Sequence, residues 1–356
     1  MARKRKMPLL AISMGDPAGI GPEVVLKSVA SVAKPGGAPE FVVIGDLEAM
    51  REAADRIADS PAPVQWHPGE TLPSNGLAVL PLTALSPDAR RPGKPSIEGG
   101  DASFRYAETG ARMAREGAVD ALITAPISKE WWDRAGHHFP GHSEVMAKIA
   151  RMRNGRGGNW RGNWRGDWRM MFAGSELRLA LVTVHVGLAK VPRLLNQKNV
   201  FDTIVILDRH LRENEGAVSP RIGVLGFNPH AGENGLFGDE EIRIIAPAIR
   251  RARTRGIDAH GPLAPDTAFI RHDGHFGFEA AVTMYHDQGL IALKTLEFDR
   301  AVNVTIGLPF IRTSPDHGTA FDIAGRGAAN PASMVSAIEY AWRAVKARAA
   351  AGKRAA

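Results

Sequence analysis

His185, His230 and His286 each stand where an apolar, strand-like run meets a loop, in VTVHVGL, GFNPHAGENG and TMYHDQG. Strand ends are where open α/β sheets present ligand-binding groups. Three neutral imidazoles converging on one point would hold a divalent ion and leave a position for a substrate oxygen. Taken singly, each histidine also fits a packed core or loop residue. What separates the set is its company: Asn228, Glu233, Asn234, Asp239 and Asp287 crowd the same segments with polar groups that a plain core avoids. By contrast, His67, His210, His260, His272 and His275 lie in polar or helical surroundings and read as surface residues.

Further along, Lys294, Asn303 and Arg312 fall on successive elements, in KTLEF, AVNVTIG and PFIRTS. One ammonium, one amide and one planar guanidinium brought together would suit a phosphate or a carboxylate. Asn303 sits inside an apolar strand, where a buried amide requires partners. The run from His317 to Pro331, HGTAFDIAGRGAANP, can wrap a flat ring while its backbone supplies hydrogen bonds; a generic surface loop is the alternative. Asp322 within it would accept hydrogen bonds from ribose hydroxyls and repel a 2′-phosphate, which favours NAD over NADP. The earlier turn, Gly15 to Glu23, has the spacing G-x3-G-x-G-P and fits neither the dinucleotide fingerprint nor a P-loop. It reads as a tight strand-to-helix turn whose helix N-terminus could face an anion.

Composition narrows the class. The 356 residues include 38 Gly and 24 Pro, and 44% are hydrophobic, enough for two lobes with substantial cores. No apolar run is long enough to span a membrane, and LLAISM after the basic start is too short for a secretory core, so a cytoplasmic protein is expected. Cysteine is absent, which excludes disulfides and thiolate chemistry and leaves His, Asp and Glu to hold any metal. The net charge of +7 is concentrated in Arg3 to Lys6, in Lys346, Arg348, Lys353 and Arg354, and in six arginines from Arg151 to Arg169. Without those fourteen cations the balance turns to −7, so no basic nucleic-acid face is expected. The repeat NGRGGNWRGNWRGDWR reads as a Gly-rich surface insertion, with base stacking or an acidic partner as the alternative.

Apolar periodicity sets strands alternating with helices. Pro8 to Met14, FVVIGD, LAVLPL, Ala121 to Thr124, LRLALVTV, RIGVLGF, AAVTMYH and VNVTIGL read as strands. Helices are expected from Pro22, over Asp101 to Gly117, along the Val200, Ile204, Leu207 and Leu211 face, over Asp239 to Arg253, and from Pro331 to Ala349. This order implies a largely parallel sheet and, over this length, two α/β lobes with a ligand-binding cleft between them.

MGDPAGIGPE, ITAPISK, FPGHSE, VTVHVGL, NPHAGENGLFGDEE, GPLAPDTAF, MYHDQGLIALK and VNVTIGLPFIRTSPDHGTAFDIAGRGAANP follow one another over roughly residues 8 to 345. In that order they closely resemble the 4-hydroxythreonine-4-phosphate dehydrogenase family of vitamin B6 biosynthesis. The last loop is also similar to the adenosine-binding loop of isocitrate and isopropylmalate dehydrogenases, and the resemblance implies their two-lobed α/β fold. The implied lobes are 1–135 with 306–356, carrying the NAD loop, and 136–305, carrying the metal ligands and the dimer interface, with an insertion at about 154–168. A homodimer is implied, with one metal ligand supplied across the interface.

The resemblance makes His185, His230 and His286 the metal ligands, and His142, Ser143, Lys294, Asn303 and Arg312 the substrate contacts. It places Asp266 near metal and substrate, and gives NAD the loop bearing His317, Gly318, Thr319, Asp322 and Asn330. The implied reaction oxidises 4-phosphooxy-L-threonine with NAD and a divalent ion to a 3-keto acid that loses carbon dioxide, leaving 3-amino-2-oxopropyl phosphate and NADH. His142, Asp266 and Lys294 are the candidates for the proton acceptor. Three imidazoles favour zinc, cobalt or nickel over magnesium, although availability can override that order. Two departures bear on the substrate: Ser143 stands where threonine is usual, and the Trp-Arg insertion has no counterpart in the family pattern. A phosphorylated four-carbon sugar acid or a terephthalate-type cis-dihydrodiol is the alternative substrate. A non-catalytic metal- or nucleic-acid-binding relative is the remoter one.

Overall fold

The computed structural model describes residues 7–32, 38–151 and 168–354. The chain divides into two compact units, Met1–Asn163 with Leu308–Val345, and Trp164–Gly307 with Lys346–Ala356.

The first unit is a parallel α/β structure. Its strands are β1 (Leu9–Ser13), β2 (Glu40–Asp46), β3 (Pro63–Gln65), β4 (Leu77–Thr83), β5 (Ala121–Thr124) and β12 (Ile311–Pro315). They lie in the order β3-β4-β2-β1-β5-β12, every pair parallel. The unbroken apolar run of β1 follows from this central position, since Leu9, Leu10, Ala11 and Ile12 are all fully buried. The Gly/Pro turn then folds tightly back on the sheet. Gly15 has φ +78°, and a Cβ there would lie 2.4 Å from the Pro126 carbonyl; a Cβ on Gly21 would lie 2.3 Å from that of Met14. Helix α1 (Gly21–Val32) starts at this turn, with Pro22 near its N-terminus. Helix α2 (Leu47–Ala54) is capped by Asp46, and α3 (Ile97–Glu116) runs from the Ser96 cap to left-handed Gly117. Two short helices, α4 (Lys129–Arg134) and α5 (His142–Arg151), complete the part of this unit that precedes residue 152.

The second unit holds a mixed sheet in the order β11-β6-β7-β10-β8-β9. Its strands are β6 (Arg169–Ala173), β7 (Arg178–Leu181), β8 (Ile222–Leu225), β9 (Ala259–Leu263), β10 (Ala280–Thr283) and β11 (Val302–Ile306). The strands β7, β10, β8 and β9 are parallel, whereas β6 runs antiparallel to both β11 and β7. A largely parallel sheet therefore describes the first unit and only part of the second. Strand β6 begins directly after the Trp-Arg insertion and is not among the strands expected from the sequence. Residues 154–167 of that insertion lie outside the described residues, as do 152 and 153 before it, but Trp168 is buried and leads directly into β6.

Around this sheet, α6 (Val191–Leu194) is a single turn and α7 (Gln197–Glu215) runs from the Asn196 cap to left-handed Gly216. The expected helix over 239–253 is a π turn, Glu241–Ile245, followed by α8 (Ala246–Arg253). Helix α9 (His286–Glu297) follows β10 after the two-residue bend Met284–Tyr285, and α10 (Ala332–Arg354) belongs to the first unit up to Val345. Leu179, Leu181, Leu225, Phe278, Leu290 and Leu293 form the core beneath the strand ends that carry the histidines. No helix among the described residues is long and apolar enough to cross a membrane.

Candidate active site

In the second unit, β7 and β10 run side by side and in parallel, so the chain leaves both at the same edge. The pairing continues past the strands: the amides of Val182 and Thr183 donate to the carbonyls of Thr283 (2.9 Å) and Met284 (3.2 Å), and the Thr183 hydroxyl donates to Met284 at 2.8 Å. This ladder brings His185 and His286 together, with ring centroids 5.6 Å apart. His185 has φ +44°, a backbone state that costs a non-glycine residue of order 1–3 kcal/mol and marks functional positions. His286 does not sit in a loop as its sequence context suggests; it opens α9. Gln288 on the same turn fixes it, accepting from the Met284 amide and donating to the Gly226 carbonyl, each at 2.7 Å.

His230 lies beyond β8 in a segment with a run of left-handed residues. His230, Ala231, Gly232, Glu233 and Asn234 all have φ between 43° and 80°. A buried carboxylate organises this turn. Glu241 accepts from the amides of Phe227 (2.6 Å) and Asn228 (2.7 Å) and from the Asn228 side chain (2.9 Å). Asn228 also donates to Glu240 at 2.7 Å. Sequence reasoning missed Glu241, because the acidic run Asp239, Glu240 and Glu241 after Gly238 reads as an ordinary helix start. Its position on a π turn is the structural sign, since π turns recur at functional sites.

His230 Nδ1 lies 3.2 Å from Asp266 Oδ2, and His286 Nδ1 lies 2.7 Å from Asp287 Oδ1. A carboxylate on one ring nitrogen leaves the other for a ligand, the usual outer arrangement around metal-binding histidines. Side-chain chemistry here therefore fits a divalent ion. Among the described residues of a single chain, however, no three His, Asp or Glu side chains stand close enough to hold one. Convergence of all three imidazoles within one chain is thus not observed: His185 and His286 are neighbours, and His230 is paired with Asp266. His210, expected at the surface, is buried on α7 and bonded to Asn214 at 2.8 Å; burial, helped by Arg348, pushes its pKa down to about 3.

The other expected substrate contacts of this unit are Lys294 and Asn303. Lys294 lies on α9 with its Nζ 5.7 Å from the Phe298 ring centre. Asn303 lies on β11, and its Oδ1 is buried without a hydrogen-bond donor.

The first unit assembles a second polar cluster at the ends of β5 and β12. Arg312 is only 2% exposed, and its guanidinium donates to the Thr124 hydroxyl at 2.6 Å. Burial pushes its pKa down to about 9, with Glu144 acting the other way, so it remains a cation at neutral pH. His142, the first residue of α5, stacks edge-on to Trp132 with centroids 5.2 Å apart. Its Nε2 is buried without a partner, and burial, then Arg312 and Lys129, hold its pKa well below the usual imidazole value. Burial pushes the Glu144 carboxyl up, against Lys129 and Arg312. Ser143 is buried beside them. A buried guanidinium beside an imidazole held neutral makes a place that favours an incoming anion.

The His317–Asn330 loop also belongs to the first unit. Ala320, Gly325 and Gly327 are left-handed, and Gly318, Asp322 and Asn330 are exposed. His317 Nε2 is buried without a partner, a polar atom that a bound ligand could satisfy. Asn330 has a structural task as well, since its side chain accepts from the Ala332 amide at the start of α10.

Comparison with known proteins agrees with this architecture. The family described as pyridoxal phosphate biosynthetic protein PdxA matches residues 38–341. A 4-hydroxythreonine-4-phosphate dehydrogenase of Geobacter metallireducens is 44% identical, with 97% of this chain and 98% of that protein covered. A D-threonate 4-phosphate dehydrogenase of Pectobacterium atrosepticum is 40% identical, with 94% and 98% covered. The crystal structure of 4-hydroxythreonine-4-phosphate dehydrogenase from Klebsiella pneumoniae superposes with a TM-score of 0.81 at 41% identity, covering 95% of this chain and 99% of that one. With a family match across most of its length and relatives this similar end to end, the chain belongs to the PdxA family of pyridoxal phosphate biosynthetic proteins.

Proposed function

We propose that this chain, a dehydrogenase, oxidises 4-phosphooxy-L-threonine with NAD, yielding 3-amino-2-oxopropyl phosphate, carbon dioxide and NADH, in the formation of pyridoxal phosphate. The observation that carries the reading is the buried Arg312 cluster. An enclosed guanidinium beside a neutral His142, with the exposed Lys129 acting on the same imidazole, suits the phosphate of a small substrate better than an uncharged group. The choice of the threonine derivative follows the names of the Geobacter metallireducens and Klebsiella pneumoniae relatives.

Individual roles follow from the surroundings of each residue. Arg312 binds phosphate oxygens, with Lys294 and Asn303 as further substrate contacts. His142 and Ser143 hydrogen-bond the substrate. A histidine held neutral presents one donor and one acceptor and adds no charge. His185, His230 and His286 would hold a divalent ion, zinc or cobalt by ligand softness and magnesium by availability. When bound, the ion would supply Lewis-acid polarisation of the substrate alcohol, and NAD in the His317–Asn330 loop would supply the hydride acceptor. Asp266 is already engaged by His230, so its role is to orient that ring; His142 and Lys294 remain for the hydroxyl proton.

A homodimer completes this reading. Leu188, Leu236, Phe237, Ile242, Ile291 and Phe298 are exposed large apolar residues on the segments that follow His185, His230 and His286. Water-facing apolar groups gathered beside an incomplete ligand set suit a second copy of the chain. A cytoplasmic location accords with this metabolic role.

The test is NADH formation with 4-phosphooxy-L-threonine, D-threonate 4-phosphate and a cis-dihydrodiol carboxylate compared side by side. The first is expected to be the best substrate. Turnover of either other compound with none of the first would overturn the assignment.

A further inference from the structure

The turn Gly15–Glu23 matches no nucleotide fingerprint, yet it and the helix it opens are bonded to the loop proposed to hold NAD. Glu23 is 5% exposed on α1. Its Oε1 accepts from Lys27 Nζ at 2.7 Å and from the Ala329 amide at 2.8 Å. Lys27 Nζ in turn donates to the carbonyls of Gly327 (2.7 Å) and Ala329 (3.0 Å). All three ammonium protons are thereby used, and both polar groups of the Ala329 backbone are bound by one ion pair. The loop's start is tied to the same turn, for the Ile20 amide donates to the Thr319 carbonyl at 2.9 Å. Between these anchors the loop relies on its own short turns, Ile323 to Ala320 at 3.1 Å and Arg326 to Ile323 at 3.2 Å.

We infer that the Glu23–Lys27 pair is a positioning device for NAD: it fixes the Gly327–Ala329 backbone in the conformation that receives the adenosine end of the cofactor. The inference rests on the reading of His317–Asn330 as the NAD loop. A single residue pair on a rigid helix is suited to this task. It binds donors and acceptors of the loop at once, in a partly dry setting where charge-assisted bonds are strong. Both residues act on the loop's backbone, so loss of the pair should weaken NAD binding and leave handling of the phosphorylated substrate in place.

Lys27→Met keeps the bulk of the side chain and removes both carbonyl contacts. NADH binding, followed by fluorescence titration without substrate, and the KM for NAD should each weaken by about tenfold, with the substrate KM unchanged to within about twofold. Amide exchange at Ala329 should accelerate in the cofactor-free protein. If Lys27→Met does not fold, Glu23→Gln serves. That variant keeps an acceptor for the Ala329 amide and loses the charge, so the same effects are expected at smaller size. Unchanged NADH affinity in a folded variant overturns the inference. Asp322→Ala, within the loop itself, separates the two levels. If it weakens NADH binding while Lys27→Met does not, the clamp fails and the loop reading stands; if Asp322→Ala has no effect, the loop reading falls and takes the clamp with it.

Discussion

The two units solve different problems. The first combines six parallel strands with buried polar groups such as Arg312, His142 and Glu23, and Ile97 is its one exposed large apolar side chain among the described residues. In the second, a mixed sheet exposes Leu188, Leu236, Phe237, Ile242, Ile291 and Phe298, and the left-handed non-glycine residues His185, His230, Ala231, Glu233 and Asn234 collect on two strand-end segments. Backbone strain and uncovered apolar surface are both costs. Both features recur on the segments that follow the three histidines, and Val218 and Ile270 are exposed elsewhere in the same unit. The first unit keeps unpartnered polar atoms in its buried interior, His142 Nε2 and His317 Nε2 among them, whereas the second carries strained backbone and exposed apolar side chains on the segments that follow its histidines.

Substitutions can break that contrast in order of effect. Arg312→Met should be the most severe change in the first unit. It removes a buried cation proposed to meet phosphate, and kcat/KM should fall by about a hundredfold or more, chiefly through the substrate KM. A similar loss expressed only in the NAD KM would reassign Arg312. Glu241→Gln should act next, in the second unit, by loosening the turn that carries His230. A drop of about ten- to a hundredfold in metal affinity is expected, measured by competition with a chelator.

The covered-surface idea is sharpened by a pair of changes. Leu236→Asp should shift the sedimenting species from dimer toward monomer, whereas Ile97→Asp should not. Equal effects of both on mass would remove the distinction between the units. The smallest effect is thermodynamic. Burial raises the Asp16 carboxyl from 3.8 to about 6, so the folded state prefers the protonated acid. Stability from this group is present below pH 4 and is lost as pH rises through 6. Asp16→Asn mimics the neutral form and keeps an acceptor for the Ala18 amide. It should stabilise the protein by about 1–3 kcal/mol at pH 8 and by almost nothing at pH 4, read from denaturant midpoints. A gain that does not depend on pH would contradict the assignment.

Local pattern revealed β1, β2, β4, β5, α1, α3, α7 and α10 because each buries an apolar face with ordinary periodicity and ends at a recognisable cap or turn. It did not reveal β6, which is short and adjoins the Trp-Arg repeat, nor α9, whose first residue His286 completes what reads as a strand ending in a loop. The three histidines and Arg312 stood out by residue type at strand ends. Glu241, Gln288, Glu23 and Lys27 did not, because what each does depends on a partner elsewhere in the fold: Glu23 meets Ala329 across 306 positions of sequence. His210 misled for the same reason, since helical polarity around it gave no hint that α7 turns it inward beside Asn214.

The central claim is that His185, His230 and His286 hold a divalent ion, with one of them reaching the site from a second copy of the chain. Elemental analysis of the purified, chelator-free protein tests it directly, with His230→Ala alongside. About one zinc, cobalt or other divalent ion per chain is expected in the native protein and none in the folded variant. Native protein that forms NADH at full rate after exhaustive chelation, or His230→Ala that keeps its metal, would contradict it.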